Sequence, residues 1–282
     1  MTLQEKVVIF GAGKAGGNFI HHQQQYEIVA VIDNDEKKVG QYLNGIKIHS
    51  PAQLQSLEYE KVIITSMYYK SIHSQLVNDL NIDSNKILAA NKAMLKEVLN
   101  PFEDEQTSLY ALDILKDLTS TFKSFHLNYF LDFGTLLGMI RDQALIKWDD
   151  DIDISCYSYD FEKVLVAVES FILKTNNEYQ TWEYAIVYND DKVSNITLLF
   201  DNKFSKPLKF SIDIWLIYFE EDRAIQLMNK CGKKFFDGCD KIIINNFEYA
   251  IPKFVDEYLT LLYGNWQVPE KNYSFADYPN AF

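Results

Sequence analysis

The sequence predicts an α/β domain over residues 1–100 followed by an α+β domain over residues 101–282. Three observations lead there. Short apolar runs alternate with helical patterns over the first ninety residues. Asn100-Pro101 then interrupts the pattern, because the residue before a proline is pushed out of the helical region. Beyond that break, Trp148–Ile154 and Phe210–Ile217 set aspartates among residues that favour buried strands. At 282 residues the chain is long enough for two domains, each with its own core.

In the first domain, Val7-Val8-Ile9-Phe10 reads as a strand that ends at Gly11-Ala12-Gly13-Lys14-Ala15-Gly16, with a helical pattern established by Asn18. A backbone without side chains can approach a phosphate, and the amides of the following helix donate to it. The same glycines also serve a tight turn and close helix–sheet packing, so ligand site and scaffold both stand. Ile28–Ile32 is the second strand; it stops at Asp33, where a carboxylate can meet a ribose hydroxyl. Val62–Thr65 and Lys86–Leu88 continue a parallel pattern. Tyr26–Asp35, Gly40 and Gly45–Ile48 resemble the small Rossmann-like domains attached to bacterial surface-polysaccharide enzymes. That resemblance implies a nucleotide or nucleotide-sugar ligand, with Gly11, Gly13, Gly16 and Asp33 at its site.

A helical stretch around Asn91–Leu99 and an acidic link, Phe102–Glu105, lead into the second domain. Ile114, Leu115, Leu118, Phe122 and Phe125 recur at helical spacing and predict an amphipathic helix packed on a core. No histidine follows His126, so a metal site beyond it must use oxygen ligands or cysteine.

Tyr129–Leu131 predicts a strand, followed by Gly134-Thr135-Leu136-Leu137-Gly138, Arg141 and Trp148-Asp149-Asp150-Asp151-Ile152-Asp153-Ile154. Such a run of aspartates repels itself unless something positive offsets it. Period-two alternation would put Asp149, Asp151 and Asp153 on one face and Asp150, Ile152 and Ile154 on the other. Three carboxylates without histidine suit Mg²⁺ or Mn²⁺. Asp213 lies in an equally apolar run and is costly there unless paired, protonated or metal-bound. It is therefore the partner of the cluster, as metal ligand, as general base toward an attacking hydroxyl, or as both. A calcium loop with Asp149, Asp151, Asp153 and Asp160 at its ligand positions is disfavoured, since Ile154 stands where that loop needs glycine.

The formal net charge of −13 opposes binding to nucleic acid or to an anionic membrane face. Cys156, Cys231 and Cys239 lack metal-ligand spacing and fit buried thiols in a reducing, cytoplasmic setting. Neither a signal-peptide pattern nor a membrane-spanning apolar stretch is expected. Self-association is left open.

Phe130–Gly138, Arg141, Trp148–Ile154 and Ile212-Asp213-Ile214 together resemble the LicD/fukutin-type transferases. Ile251-Pro252, Tyr258-Leu259 and Tyr263-Gly264-Asn265-Trp266 resemble the closing segment of that family. The resemblance covers most of residues 105–272, with Lys147 departing from the proline usual before the tryptophan. It implies the nucleotidyltransferase fold of the polymerase-beta superfamily, with a mixed sheet. It also implies transfer of a phospho-alcohol, such as phosphocholine or a polyol phosphate, from a CDP-linked donor to a glycan hydroxyl. By position, Asp149, Asp151, Asp153 and Asp213 would hold the metal, and Gly134 and Thr135 would line the donor phosphates. Arg141 would meet the developing charge or brace the aspartates. Rival readings are transfer of NMP from an NTP, a metal-dependent glycosyltransferase, and a non-catalytic nucleotide sensor built on the first domain. Trp182 and Tyr188 are aromatics that either stack on a ligand or belong to the core, and Trp266 reads as core.

Overall fold

The computed structural model describes residues 4–96, 100–189, 191–226, 229–271, 275–277 and 279. The chain divides into two compact units, Met1–Glu97 with Glu270–Phe282, and Val98–Pro269.

In the first unit, β1 (Glu5–Phe10), α1 (Lys14–His22), β2 (Tyr26–Ile32), β3 (Tyr42–Leu43), β4 (Ile46–His49), β5 (Lys61–Ile64), α2 (Tyr69–Ser74) and β6 (Ile87–Ala89) follow one another. The strand order is β3-β4-β2-β1-β5-β6, parallel except for β3 against β4. All of Val7–Phe10 is buried, with Val8 and Phe10 in one apolar cluster and Val7 and Ile9 in another. A sheet covered on both faces explains why β1 reads as a continuous apolar run. The helix expected around Asn91–Leu99 is a short 3₁₀ turn at Lys92–Leu95; residues 97–99 lie outside the described residues.

The second unit opens on α3 (Glu105–Ser124), whose Ile114, Leu115, Leu118 and Phe122 are buried as their spacing requires. Phe102–Glu105 is more than a link: Phe102 is buried in the second core and the Asp104 carboxylate accepts from the Thr107 amide, capping α3. β7 (Tyr129–Leu131), α4 (Phe133–Arg141), β8 (Asp151–Tyr157), α5 (Phe161–Thr175), β9 (Gln180–Asn189), β10 (Lys192–Asn202) and β11 (Ser211–Glu220) come next. They are followed by β12 (Arg223–Gln226), β13 (Asn229–Gly232), β14 (Asp240–Ile244), β15 (Phe247–Ile251) and α6 (Val255–Tyr263).

The sheet is mixed. β8 runs parallel to β11, whereas β7 pairs β8, β10 pairs β11 and β9 pairs β10 in antiparallel fashion. Ile152, Ile154, Ile212 and Ile214 are fully buried on one face of the central pair, which sends Asp151, Asp153 and Asp213 to the other. α6 ends at Gly264 with φ 65°, and Trp266 behind it is buried. Trp182 is core, stacked on Phe200 with ring centroids 4.5 Å apart, while Tyr188 is exposed. Cys156 and Cys231 are buried; Cys239, expected to be buried too, is exposed.

Candidate carboxylate centre

The parallel register of β8 and β11 sets Asp153 opposite Asp213 and Ile152 opposite Ile212. Carboxylate oxygens of Asp151, Asp153 and Asp213 lie within 4.8 Å of one another, and so do those of Asp149, Asp150 and Asp151. Asp151 is common to both groups. This corrects the expectation for Asp150, whose carboxylate was to point elsewhere. Alternation governs residues within a strand, and β8 begins only at Asp151, so Asp149 and Asp150 approach from the preceding loop.

Asp153 is held at four atoms. Its amide donates to Thr135 Oγ1 (2.8 Å) and its carbonyl accepts from the Asp132 amide (3.2 Å). Its Oδ1 accepts from Trp215 Nε1 (2.9 Å) and its Oδ2 from the Gly134 amide (3.2 Å). Asp213 is steadied from β10, where Asn195 Nδ2 donates to its Oδ1 (2.8 Å) and the Thr197 hydroxyl donates to the same oxygen. Loss of water, followed by the charges of Asp153, Asp149, Asp150 and Asp213, holds the Asp151 carboxyl well above the usual carboxylate range.

Three predicted site residues have partners within the protein. Thr135 is buried and its hydroxyl oxygen accepts from the Asp153 amide, which ties α4 to β8. The amide of Gly134, a residue expected to line the donor phosphates, donates to Asp153 Oδ2, and the amide of Phe133 before it donates to Asp132 Oδ1 (2.8 Å). The start of the helix therefore orients protein carboxylates. Arg141 pairs through Nε and Nη2 with Asp142 (2.9 and 2.7 Å) and lies 5.8 Å from the Trp148 ring centroid.

Gly134 has a separate reason to be glycine: a Cβ there would run into Asp149 Oδ2. Gly134→Ala, which in an ordinary helix gains stability, is expected instead to displace Asp149 and weaken Mn²⁺ binding about tenfold. Unchanged affinity in a calorimetric titration would contradict that.

Residues passed over in the sequence also build the site. Asp132 is fully buried and accepts from the Phe133 amide, Ser155 Oγ (2.5 Å), Gln226 Nε2 (3.1 Å) and the Tyr258 hydroxyl (2.8 Å). Its position ahead of a glycine-led helix was a readable N-cap signal. Asn195, Thr197 and Trp215 were signalled by the alternation that singles out Asp213, since polar residues at every second place of an apolar strand share one face.

In the first unit Asp33 is brought to the glycine loop: Oδ2 accepts from the Ala12 amide (2.7 Å) and from Lys38 Nζ (3.2 Å), and Oδ1 from the Asp35 amide (2.8 Å). Gly11 has φ 125°, and a Cβ at Gly16 would collide with the Gly11 carbonyl, so both have scaffold reasons. A Cβ at Gly13 would meet open space.

The mixed sheet, with three carboxylates converging from adjacent parallel strands beside a helix start, is the arrangement expected of the nucleotidyltransferase fold. Residues 126–238 match the LicD/FKTN/FKRP nucleotidyltransferase domain. Residues 3–88 match the family described as C2185-like, N-terminal. The chain is 30% identical over 74 residues to the lipopolysaccharide cholinephosphotransferase LicD of Haemophilus influenzae, covering 26% of this chain and 27% of that protein. It is 36% identical over 66 residues to an uncharacterised protein of Rickettsia typhi, covering 22% of this chain and 21% of that one. The chain thus spans about a quarter of the length of these relatives.

Among solved structures, the lincosamide antibiotic adenylyltransferase LnuA gives TM-score 0.36 at 18% identity, covering 60% of this chain and 91% of that one. The antibiotic-resistance factor ANT(2'')-Ia gives 0.37 at 11% identity, covering 59% and 77%. UDP-D-quinovosamine 4-dehydrogenase from Vibrio fischeri gives 0.26 at 26% identity, covering 31% and 78%. These likenesses transfer no chemistry to this chain. No helix among the described residues is long and apolar enough to cross a membrane.

Proposed function

We propose that the second unit transfers a phospho-alcohol, of the phosphocholine or polyol phosphate type, from a CDP-linked donor to a glycan hydroxyl in cell-surface polysaccharide or lipopolysaccharide biosynthesis. The observation that carries the reading is the convergence of Asp151, Asp153 and Asp213 within one ion's reach. An all-oxygen donor set, whose central carboxyl is driven toward its neutral form when no cation is near, fits Mg²⁺ or Mn²⁺. Asp151, Asp153 and Asp213 would hold the ion, with Asp149 adding a further oxygen; once bound, it would offset the charge of the donor diphosphate.

The chain's own residues do the rest. Asp153 is fixed from four directions before substrate arrives, so the site is preorganised rather than assembled on binding. Asp213, oriented at Oδ1 by Asn195 and Thr197, would orient an acceptor hydroxyl or take its proton as the bond to phosphorus forms and CMP leaves. The first unit, by this proposal, takes a nucleotide or nucleotide-sugar at Gly11–Gly16 and Asp33; the open space at Gly13 and the carboxylate beside the loop support it. Catalysis is placed in the cytoplasm, where CDP-linked donors are made.

The test is incubation of the full chain with a panel of CDP-alcohols, Mg²⁺ and a glycan acceptor while CMP is followed. CMP release with one donor is the expected result. A blank panel together with pyrophosphate release from an NTP would replace this reaction with NMP transfer.

A further inference from the structure

Phe133 has φ 43°, in the left-handed region that bulky L-residues rarely adopt. It stands between Asp132, which is extended, and Gly134, the one nearby residue suited to such a turn. Glycine is used at 134 for space against Asp149, which leaves the disfavoured angle to a phenylalanine. Strain of this kind persists where the surroundings over-determine it.

The ring shows what the surroundings require. It is half-buried and meets Trp215 edge to face, with centroids 5.8 Å apart and planes at 75°. Trp215 stands two residues after Asp213 on the same face of β11, and its indole N–H donates to Asp153 Oδ1. The other oxygen of Asp153 is held by the amide that follows Phe133. The amide of Gly134, next to Phe133, and the indole on which the Phe133 ring packs therefore hold the two oxygens of Asp153.

We infer that Phe133 and Trp215 are a positioning pair for Asp153: the Phe133 ring fixes the indole, the indole fixes the carboxylate, and the left-handed angle at 133 is what places the ring. Neither residue is a ligand itself. The inference rests on Asp153 being a metal-holding carboxylate, and it deepens that part of the proposed function without depending on the identity of the donor.

The test uses the full chain with Phe133→Ala, Phe133→Gly and Trp215→Phe, and two readouts: melting temperature without metal, and Mn²⁺ affinity by calorimetry. Alanine keeps the backbone strain and loses the ring, whereas glycine loses both. Phe133→Gly should therefore melt above Phe133→Ala, the reverse of the order in an ordinary helix. Both should lose Mn²⁺ affinity by a similar factor, about tenfold, because an outer partner of a ligand is gone. Trp215→Phe keeps an aromatic ring but not the donor, and should lose affinity comparably. Affinity that follows melting temperature across the three would reduce the pair to packing and overturn the inference, as would wild-type affinity in Trp215→Phe. If neither Phe133 variant folds, Trp215→Phe decides alone. Wild-type protein that takes up Mn²⁺ but releases no CMP from the panel overturns the reaction and leaves the inference to these variants; wild-type protein that takes up no Mn²⁺ overturns the inference.

Discussion

Asp151→Asn is expected to lower turnover by on the order of a thousandfold or more while raising the melting temperature of the metal-free chain. Both effects come from one arrangement. Asp151 belongs to both groups of converging carboxylates, so its oxygens are the ones any bound cation must share. Without a cation it is desolvated among four like charges, and its carboxyl is held well above the usual carboxylate range. A folded-state value above the unfolded one stabilises the protein fully below the unfolded value, and that contribution is lost as pH rises through the folded value. The metal-free wild type should accordingly melt lower once pH has risen well above the usual carboxylate range than it does within that range. Mg²⁺ or Mn²⁺ should restore stability most at the higher pH, where no proton competes for Asp151. In Asp151→Asn this component of the pH dependence should be absent. Turnover by the variant at the wild-type rate would remove the carboxylates from the mechanism; melting curves with and without metal test the electrostatics separately.

Asp132→Ala is expected to cost about 3–5 kcal/mol of the stability of the second unit, the largest structural effect predicted for a single residue here. The Asp132 carboxylate is fully buried and receives the Phe133 amide, Ser155, Gln226 and Tyr258. Removing it strands those donors away from water. It also joins elements far apart in sequence, since Tyr258 comes from α6, Gln226 from β12 and Ser155 from β8. Tyr258→Phe removes a single donor and should cost only about 1–2 kcal/mol. Burial raises the Asp132 carboxyl above its ordinary range while its four donors pull it back. Urea unfolding followed by tryptophan fluorescence measures both variants. Equal loss in Asp132→Ala and Tyr258→Phe would show that the hydroxyl contact alone carries the network.

The elements that build the centre could be read from the chain because their signals are local. The apolar run at Tyr129–Leu131, the helical spacing of α3, the glycine that ends α6 and the alternation of aspartate with isoleucine in β8 and β11 each depend on residues a few places apart. Asp213 was legible for the same reason: a carboxylate in a buried strand needs a partner, and few were available. The alternation argument failed for Asp150 because it holds only inside a strand, and nothing local announces that β8 starts at Asp151. The partner of Arg141 was not legible, because a cation near a cluster of acids suggests pairing with it, whereas its guanidinium reaches Asp142, the very next residue, at 2.7 Å.

Taken by itself, the sequence determined the kinds of elements, their order and the carboxylates available to a cation, all of which follow from backbone period and the cost of burying charge. Only the tertiary structure decided how those carboxylates are held. The parallel register of β8 on β11 brings Asp153 to Asp213, although 60 residues separate them. The left-handed Phe133, the indole of Trp215 and the buried Asp132 then fix Asp153 and the start of α4 through contacts that no local pattern encodes. Hydrogen bonds and ring contacts between distant residues form only after strand pairing has paid their entropy, so they are properties of the assembled fold rather than of any segment.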